Sequence, residues 1–322
     1  MSLYPLKFEP ILMKRLWGGT RLGTVLGKAV KEDKVGESWE ISGVKDHVSI
    51  VSNGAYKGLK LTELITKFSK DLLGERVLSE FGDEFPILIK FIDAKKDLSI
   101  QLHPDDILAK KRHNSLGKTE MWYVMDAEEE SNLIVGFKED ISEEDYKNSL
   151  KDNSLLSLLH FETVKEGDTF FINAGKIHAI GQGVLLAEIQ QTSDVTYRVF
   201  DYNRKDSEGN LRELHTELAL SAIDYKRRDD FKIVYEKKEN IENPMVNSAY
   251  FTTRFVPVNK NLSFDLSERD SFTIYMCVKG NAEIKNENGK AIITKGETVL
   301  IPANSKKIHI ITKGAELLEI TI

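Results

Sequence analysis

Gln101-Leu-His103-Pro104 and Gly117-Lys-Thr-Glu120 lie close together in this 322-residue sequence, and His178 follows. Together they supply an amide oxygen, two imidazoles and a carboxylate, a set that can close around one divalent ion. Taken singly, each residue is a weak signal. A lone strand histidine is more often a hydrogen-bonded structural residue, and an amide oxygen is a poor zinc ligand. The combination points to a metal: two ligands at i and i+2, a third soon after, and a histidine on a later strand. Mixed nitrogen and oxygen ligation suits Zn²⁺, with Mn²⁺, Fe²⁺ and Co²⁺ left open.

Three cations are a second chemical signal. Lys90, Lys118 and Arg198 sit in strand-like segments whose other residues are largely apolar. A lysine within Ile87-Leu-Ile-Lys-Phe-Ile92 is costly to bury without a partner. Cations lining a cavity in an acidic protein imply a small anionic substrate such as a phosphate ester. For Arg198 a structural ion pair with Asp194 or Glu188 is the competing reading.

The elements that must position these groups are mainly strands. Strand side chains alternate between faces, so Ser99, Gln101 and His103 share one face, and Ile100 and Leu102 the other. Lys118 shares a face with Glu120, and Asp194 and Thr196 share one with Arg198. The apolar faces call for a covering layer. Residues 1–60 read as short strands and turns, with Trp17-Gly-Gly19 and Gly36-Glu-Ser-Trp-Glu40 as landmarks. Leu61, Leu64, Ile65, Phe68 and Leu72 fall at helical spacing over 62–82. Strands follow over 87–138, broken at His103-Pro104-Asp105 by a short helix from Asp106 to His113 under an aspartate cap. A helix over 142–159 capped by Ser142, strands over 163–202 and a helix over 212–224 come next. Lys226 to Asn243 reads as an edge strand and connector, Pro244 as a boundary, and 248–322 as strands.

An internal repeat ties the two ends of the chain together. Gly167-Asp-Thr-Phe-Phe-Ile-Asn-Ala-Gly175 resembles Gly296-Glu-Thr-Val-Leu-Ile-Pro-Ala-Asn304, and Trp122-Tyr-Val-Met125 resembles Ile274-Tyr-Met-Cys277. In that register Phe272 replaces Glu120 and Lys307 replaces His178, so the second copy lacks the ligands. His309, two places off, reads as an exposed strand histidine. The expectation is a mainly β protein of two related sandwiches with a few added helices. Residues 1–244 would hold the metal and 245–322 would not.

Bulk properties exclude other classes. Net charge is −6, from 45 basic and 51 acidic residues, which argues against nucleic-acid binding. Cys277, the single cysteine, sits in an apolar run and reads as a core residue. No secretion signal or membrane span is evident, so a cytoplasmic protein with no membrane or nucleic-acid partner is the expectation. Oligomeric state is not legible.

Ser99-Ile-Gln-Leu-His-Pro104, Gly117-Lys-Thr-Glu120, Asn173-Ala-Gly-Lys-Ile-His-Ala179 and Glu188-Ile-Gln-Gln-Thr-Ser-Asp-Val-Thr-Tyr-Arg198 closely resemble the type I mannose-6-phosphate isomerases. The resemblance runs from Trp17-Gly-Gly19 to the second sandwich. It is to the short bacterial form, because only 57 residues separate Glu120 from His178. It implies two cupin-type jelly rolls and a zinc-dependent aldose–ketose isomerase, interconverting mannose 6-phosphate and fructose 6-phosphate through an enediolate. It further implies one Zn²⁺ per chain on Gln101, His103, Glu120 and His178, with Arg198 and Lys118 catalytic. Trp17, Glu37, Lys90, Ser99, Glu188 and Asp194 match other pocket residues, Lys90 and Ser99 as candidate phosphate contacts. Ile180 departs from the pattern, since longer members carry a tyrosine there. The rival readings are a metal-dependent cupin enzyme of other specificity and a non-catalytic sugar-phosphate-binding cupin.

Overall fold

The computed structural model describes residues 2–205, 208–229 and 231–322. Antiparallel strands dominate in three sheets, with short helices between them. The first eleven strands are β1 (Ile11–Gly19), β2 (Val35–Ile41), β3 (Ile87–Ala94), β4 (Ile100–Leu102), β5 (Glu120–Ala127), β6 (Asn132–Phe137), β7 (Leu159–Thr163), β8 (Thr169–Ile172), β9 (His178–Ile180), β10 (Val184–Gln191) and β11 (Tyr197–Phe200). They form a six-stranded sheet, β1-β2-β3-β10-β5-β8, and a five-stranded one, β11-β4-β9-β6-β7. The third sheet takes β12 (Asn243–Asn247), β13 (Thr252–Val258), β14 (Leu262–Asp265), β15 (Thr273–Asn286), β16 (Gly289–Thr294), β17 (Thr298–Ile301) and β18 (Lys307–Thr321). Its order is β12-β13-β18-β15-β16, with β14 on β18 and β17 on β15.

Parity explains why the six-stranded sheet is buried on both faces. Phe91, Met121, Tyr123 and Ile189 point into a core shared with the helix Leu61–Phe68, with Phe255 and Ile274 of the third sheet and with Phe272 just before β15. Ile92, Trp122, Val124 and Leu186 point the other way, towards Leu133, Val135 and Ile180 of the five-stranded sheet. The back of that second sheet is covered as expected: Ile100 and Leu102 pack with Tyr146 of the helix Glu143–Lys151. The site therefore lies between two sheets, each braced from behind. The N-terminal segment also reaches the third sheet, where Leu6 bridges Leu300 and Lys7 pairs with Glu297 at 2.7 Å.

The ladders correct the register of the repeat. β5 pairs Trp122 with Phe170, and β15 pairs Tyr275 with Val299. Phe170 and Val299 coincide in the repeat, so Trp122 corresponds to Tyr275, and Glu120 to Thr273 rather than Phe272. A one-residue slip reverses every face, and Phe272 accordingly points into the shared core, its ring 4.8 Å from that of Phe85. Lys307 opens β18 at an exposed position, and His309 bonds Ser263 at the surface.

The corrected register exposes a matched polar row. In the six-stranded sheet Glu188 sits between Lys90 and Trp122, accepting at 2.9 and 3.0 Å. In the third sheet Glu319 sits between Arg254 and Tyr275, accepting at 2.9 and 2.7 Å. Arg269 adds a second guanidinium 3.0 Å from Glu319. Removing one member of such a buried set strands the others. Glu319→Ala should therefore cost about 3 kcal/mol of stability by denaturant unfolding; a loss below about 1 kcal/mol would show that Arg254 and Arg269 find other partners.

Several helix expectations prove too long. The 62–82 stretch is three helices, Leu61–Phe68, Lys70–Leu73 and Glu75–Phe81, broken where Ser69 and Gly74 take positive φ. The helix after Ser142 ends at Lys151, where Asn153 turns left-handed. The 212–224 helix shrinks to Thr216–Leu220. No strand forms among the described residues of 226–242 (Asp230 lies outside them), and the edge strand begins only at Asn243; the segment is held by single bonds such as Ile233 N–H to Thr169 O, 2.8 Å. Pro244 lies inside β12, which pairs only with β13, an edge position where its missing donor is harmless.

Candidate active site

Strand pairing aligns the site across both sheets. Arg198 on β11 stands opposite Gln101 on β4, and Gln101 stands opposite His178 on β9. His103 follows β4 directly, and Glu120 opens β5 on the facing sheet. Two loops fix these positions. Asp105 caps the helix Asp106–His113 by accepting from Leu108 N–H at 2.8 Å. Gly117 then crosses that helix start so closely that a Cβ would stand 2.6 Å from Asp106 N. Gly175, at φ +84°, donates to His103 O at 2.8 Å and turns the chain towards His178.

His103, Glu120 and His178 are buried together, with a ligand atom of each within 4.8 Å of the others. Their unmet valences suit a cation. His103 Nδ1 donates to Val195 O at 2.9 Å and His178 Nδ1 to Lys176 O at 2.8 Å. Those bonds put the ring protons on Nδ1 and leave both Nε2 lone pairs facing the cluster. His103 Nε2 lies 3.6 Å and His178 Nε2 3.4 Å from the Glu120 oxygens. Glu120 Oε1 and His178 Nε2 are buried without a hydrogen-bond partner, and Glu120 Oε2 has only the ion pair with Lys118. Buried acceptors left unmatched around one point are costly unless a cation completes them. Burial also holds both imidazoles neutral, with His178 pushed down to about 3. Gln101 lines the same space. The donor set fits a divalent ion.

Beside this cluster lies a line of paired charges. Lys118 Nζ is 3.2 Å from His103 Nε2 and 3.0 Å from Glu120 Oε2. Burial alone would lower its pKa, but Glu120, Glu188 and Glu37 outweigh burial and raise it. Burial, then the Glu188 charge, raises Glu120 above its usual range. Burial also opposes ionisation of Glu188, yet Lys90 and Lys118 prevail and hold it well below 4.5. That gives a signed expectation. The ionised Glu188 contributes stability above its ordinary pKa of about 4.5, and the contribution is lost as pH falls below that. Glu188→Gln should flatten the acid limb of unfolding free energy against pH; parallel limbs would contradict it.

A cavity of about 450 Å³ opens over the cluster. Trp17, Glu37, Lys90, Ser99, Gln101, Lys118, His178, Glu188, Asp194 and Arg198 all line it, while His103 and Glu120 stand in its wall beyond the lining. Among the described residues Arg198 forms no ion pair, so the structural bridge to Asp194 or Glu188 is not what holds it. It donates instead to Ser99 Oγ at 3.3 Å and to Glu213 O at 3.0 Å. Lys90 is committed to Glu188 and lies 5.3 Å from the Trp39 ring. Glu37 is equally committed, to Arg15 at 2.8 and 3.0 Å and to Trp39 Nε1 at 2.7 Å. Arg15, Trp39, Trp122 and Arg212 also line the cavity and were not singled out from sequence. Ile180 lines it too, as apolar wall.

Comparison with known proteins decides the family. Residues 6–147 match the model of the type I phosphomannose isomerase catalytic domain, and residues 241–318 that of the mannose-6-phosphate isomerase cupin domain. The Bacillus subtilis mannose-6-phosphate isomerase ManA is 34% identical over 94% of both chains. The chain belongs to the type I phosphomannose isomerase family. As a member of that family it is an enzyme, built on the cupin fold. The mannose-6-phosphate isomerase of Streptococcus mutans is 32% identical over 94% of this chain and 93% of its own. A crystal structure of the Bacillus subtilis mannose 6-phosphate isomerase superposes with a TM-score of 0.89 at 31% identity, covering 99% of this chain and all of that one. Among the described residues no helix is long and apolar enough to cross a membrane.

Proposed function

We propose that this enzyme interconverts mannose 6-phosphate and fructose 6-phosphate, with one Zn²⁺ on Gln101, His103, Glu120 and His178. The carrying observation is the buried cluster whose Nε2 lone pairs and carboxylate oxygens face one point on the wall of a cationic cavity. Full-length likeness to two bacterial mannose-6-phosphate isomerases supports the substrate.

The reaction moves a proton from C2 to C1 and a hydroxyl proton from O2 to O1, through an enediolate. Zn²⁺ held by Gln101, His103, Glu120 and His178 would supply Lewis acidity to stabilise negative charge on the reacting oxygens and would offset the Glu120 charge that raises the pKa of Lys118. Lys118 is the group that moves the proton. Glu188 is a poor alternative, since Lys90 and Trp122 already occupy both its oxygens and its pKa is depressed. Glu188 instead holds Lys90 and offsets the charge of Lys118. Arg198, directly opposite Gln101, stabilises the enediolate oxygens. Trp17 and Ile180 form apolar wall that limits water. Residues 1–244 form the catalytic unit in this reading, and 245–322 brace its sheet from behind.

The test is a coupled assay on purified protein, following fructose 6-phosphate formed from mannose 6-phosphate. Turnover abolished by a chelator and restored by zinc is expected. Binding of mannose 6-phosphate without turnover would favour the sugar-phosphate-binding reading instead.

A further inference from the structure

We infer that Arg212 recognises the substrate's phosphate and so restricts this cavity to phosphorylated sugars, an inference that rests on the isomerase reading above. The cavity has a buried floor and a more open wall. Lys90, Lys118, His178 and Glu188 are buried, whereas Arg15, Arg198 and Arg212 are partly exposed. The floor cations have carboxylate partners, Lys90 in Glu188 and Lys118 in Glu120. Both forks of Arg15 used here go to Glu37. Ser99 Oγ lies between Arg198 Nε at 3.3 Å and Gln101 Oε1 at 3.4 Å. The phosphate contacts expected from sequence, Lys90 and Ser99, are therefore already engaged.

Arg212 is arranged differently. Its Nε and Nη2 donate to the buried Asp201 carboxylate at 2.6 and 2.5 Å, which fixes the guanidinium plane. Among the described residues its Nη1 donates no hydrogen bond. Asp201 also accepts from Arg204, so one carboxylate answers two guanidiniums. Arg198 adds a further cation with no carboxylate. Its pKa falls through burial and then through repulsion from Arg212. Uncompensated guanidiniums on one cavity wall are neutralised best by a doubly charged oxyanion, whose geometry matches the fork. The same loop locks the two arginines together: Arg198 Nη1 donates to Glu213 O, and His215 exchanges bonds with the Arg198 backbone at 2.7 and 3.1 Å. Arg198, beside Gln101, then serves the reacting end, and Arg212 the phosphate end.

The experiment compares wild type, Arg212→Gln, Arg212→Lys and Arg204→Gln, the last losing the same Asp201 partner without lining the cavity. Each is assayed on mannose 6-phosphate and titrated with inorganic phosphate by calorimetry, with thermal midpoint followed in parallel. Arg212→Gln should raise KM and weaken phosphate binding about 10- to 100-fold, with kcat changed less than about threefold. Arg204→Gln should leave both near wild type, and Arg212→Lys should fall between. Unchanged phosphate affinity in both Arg212 variants would overturn the inference, as would an equal loss in Arg204→Gln. Should Arg212→Gln fail to fold, Arg212→Lys decides alone. Should wild type bind phosphate through Arg212 yet lack turnover, the isomerase reading fails and the anion site stands.

Discussion

His178→Ala should lose most bound zinc and nearly all turnover, a fall of at least about 10³ in kcat. The ring contributes one Nε2 to a buried cluster, and its Nδ1 bond to Lys176 O fixes that nitrogen's direction. Without it, one imidazole, one carboxylate and the weakly binding Gln101 amide oxygen are left to hold a catalytic ion against dissociation. His103→Ala should behave the same way. Elemental analysis and the coupled assay on each variant check this together. Full metal occupancy with normal turnover in either would remove both histidines from the site.

Lys118→Met should lower kcat by about 10³ and Arg198→Ala should lower kcat/KM by about 10² to 10³, both with zinc content and fold retained. Lys118 is buried against His103 and Glu120, so a methionine there removes the amine that contacts both of them. Arg198 lacks a carboxylate partner among the described residues, so its loss should show in catalysis rather than in stability. The split between parameters separates the two arginines, since Arg198→Ala should act on kcat and Arg212→Gln on KM. Wild-type kinetics in Arg198→Ala would make that arginine a strut for Glu213 and Ser99.

Much of the site was legible because strand alternation is a local rule. Gln101 and His103 share a face by spacing alone, and the pairing of Gln101 with His178 puts the later histidine on the same surface. The Asp105 cap and the helix behind it follow from one residue type in one position. Arg212 was not legible: it lies in a charged loop without periodicity, where an arginine reads as surface. Trp122 and Trp39 looked like ordinary apolar strand residues, and only the facing sheets show that they border the cavity. The commitments of Lys90 and Glu37 depend on partners 98 and 22 residues away. The repeat register missed by one because Ile274-Tyr-Met-Cys277 matches Trp122-Tyr-Val-Met125 in hydrophobicity equally well when shifted. Helix ends were misjudged where left-handed residues such as Ser69 and Asn153 stop a favourable pattern.

The most direct measurement is a zinc titration of chelator-stripped protein, following bound metal and mannose 6-phosphate turnover together. Turnover should be absent at the start, rise in proportion to bound zinc and level at one ion per chain, with His178→Ala giving neither signal. Full turnover from stripped protein holding less than about a tenth of an equivalent of metal would contradict a catalytic ion at His103, Glu120 and His178.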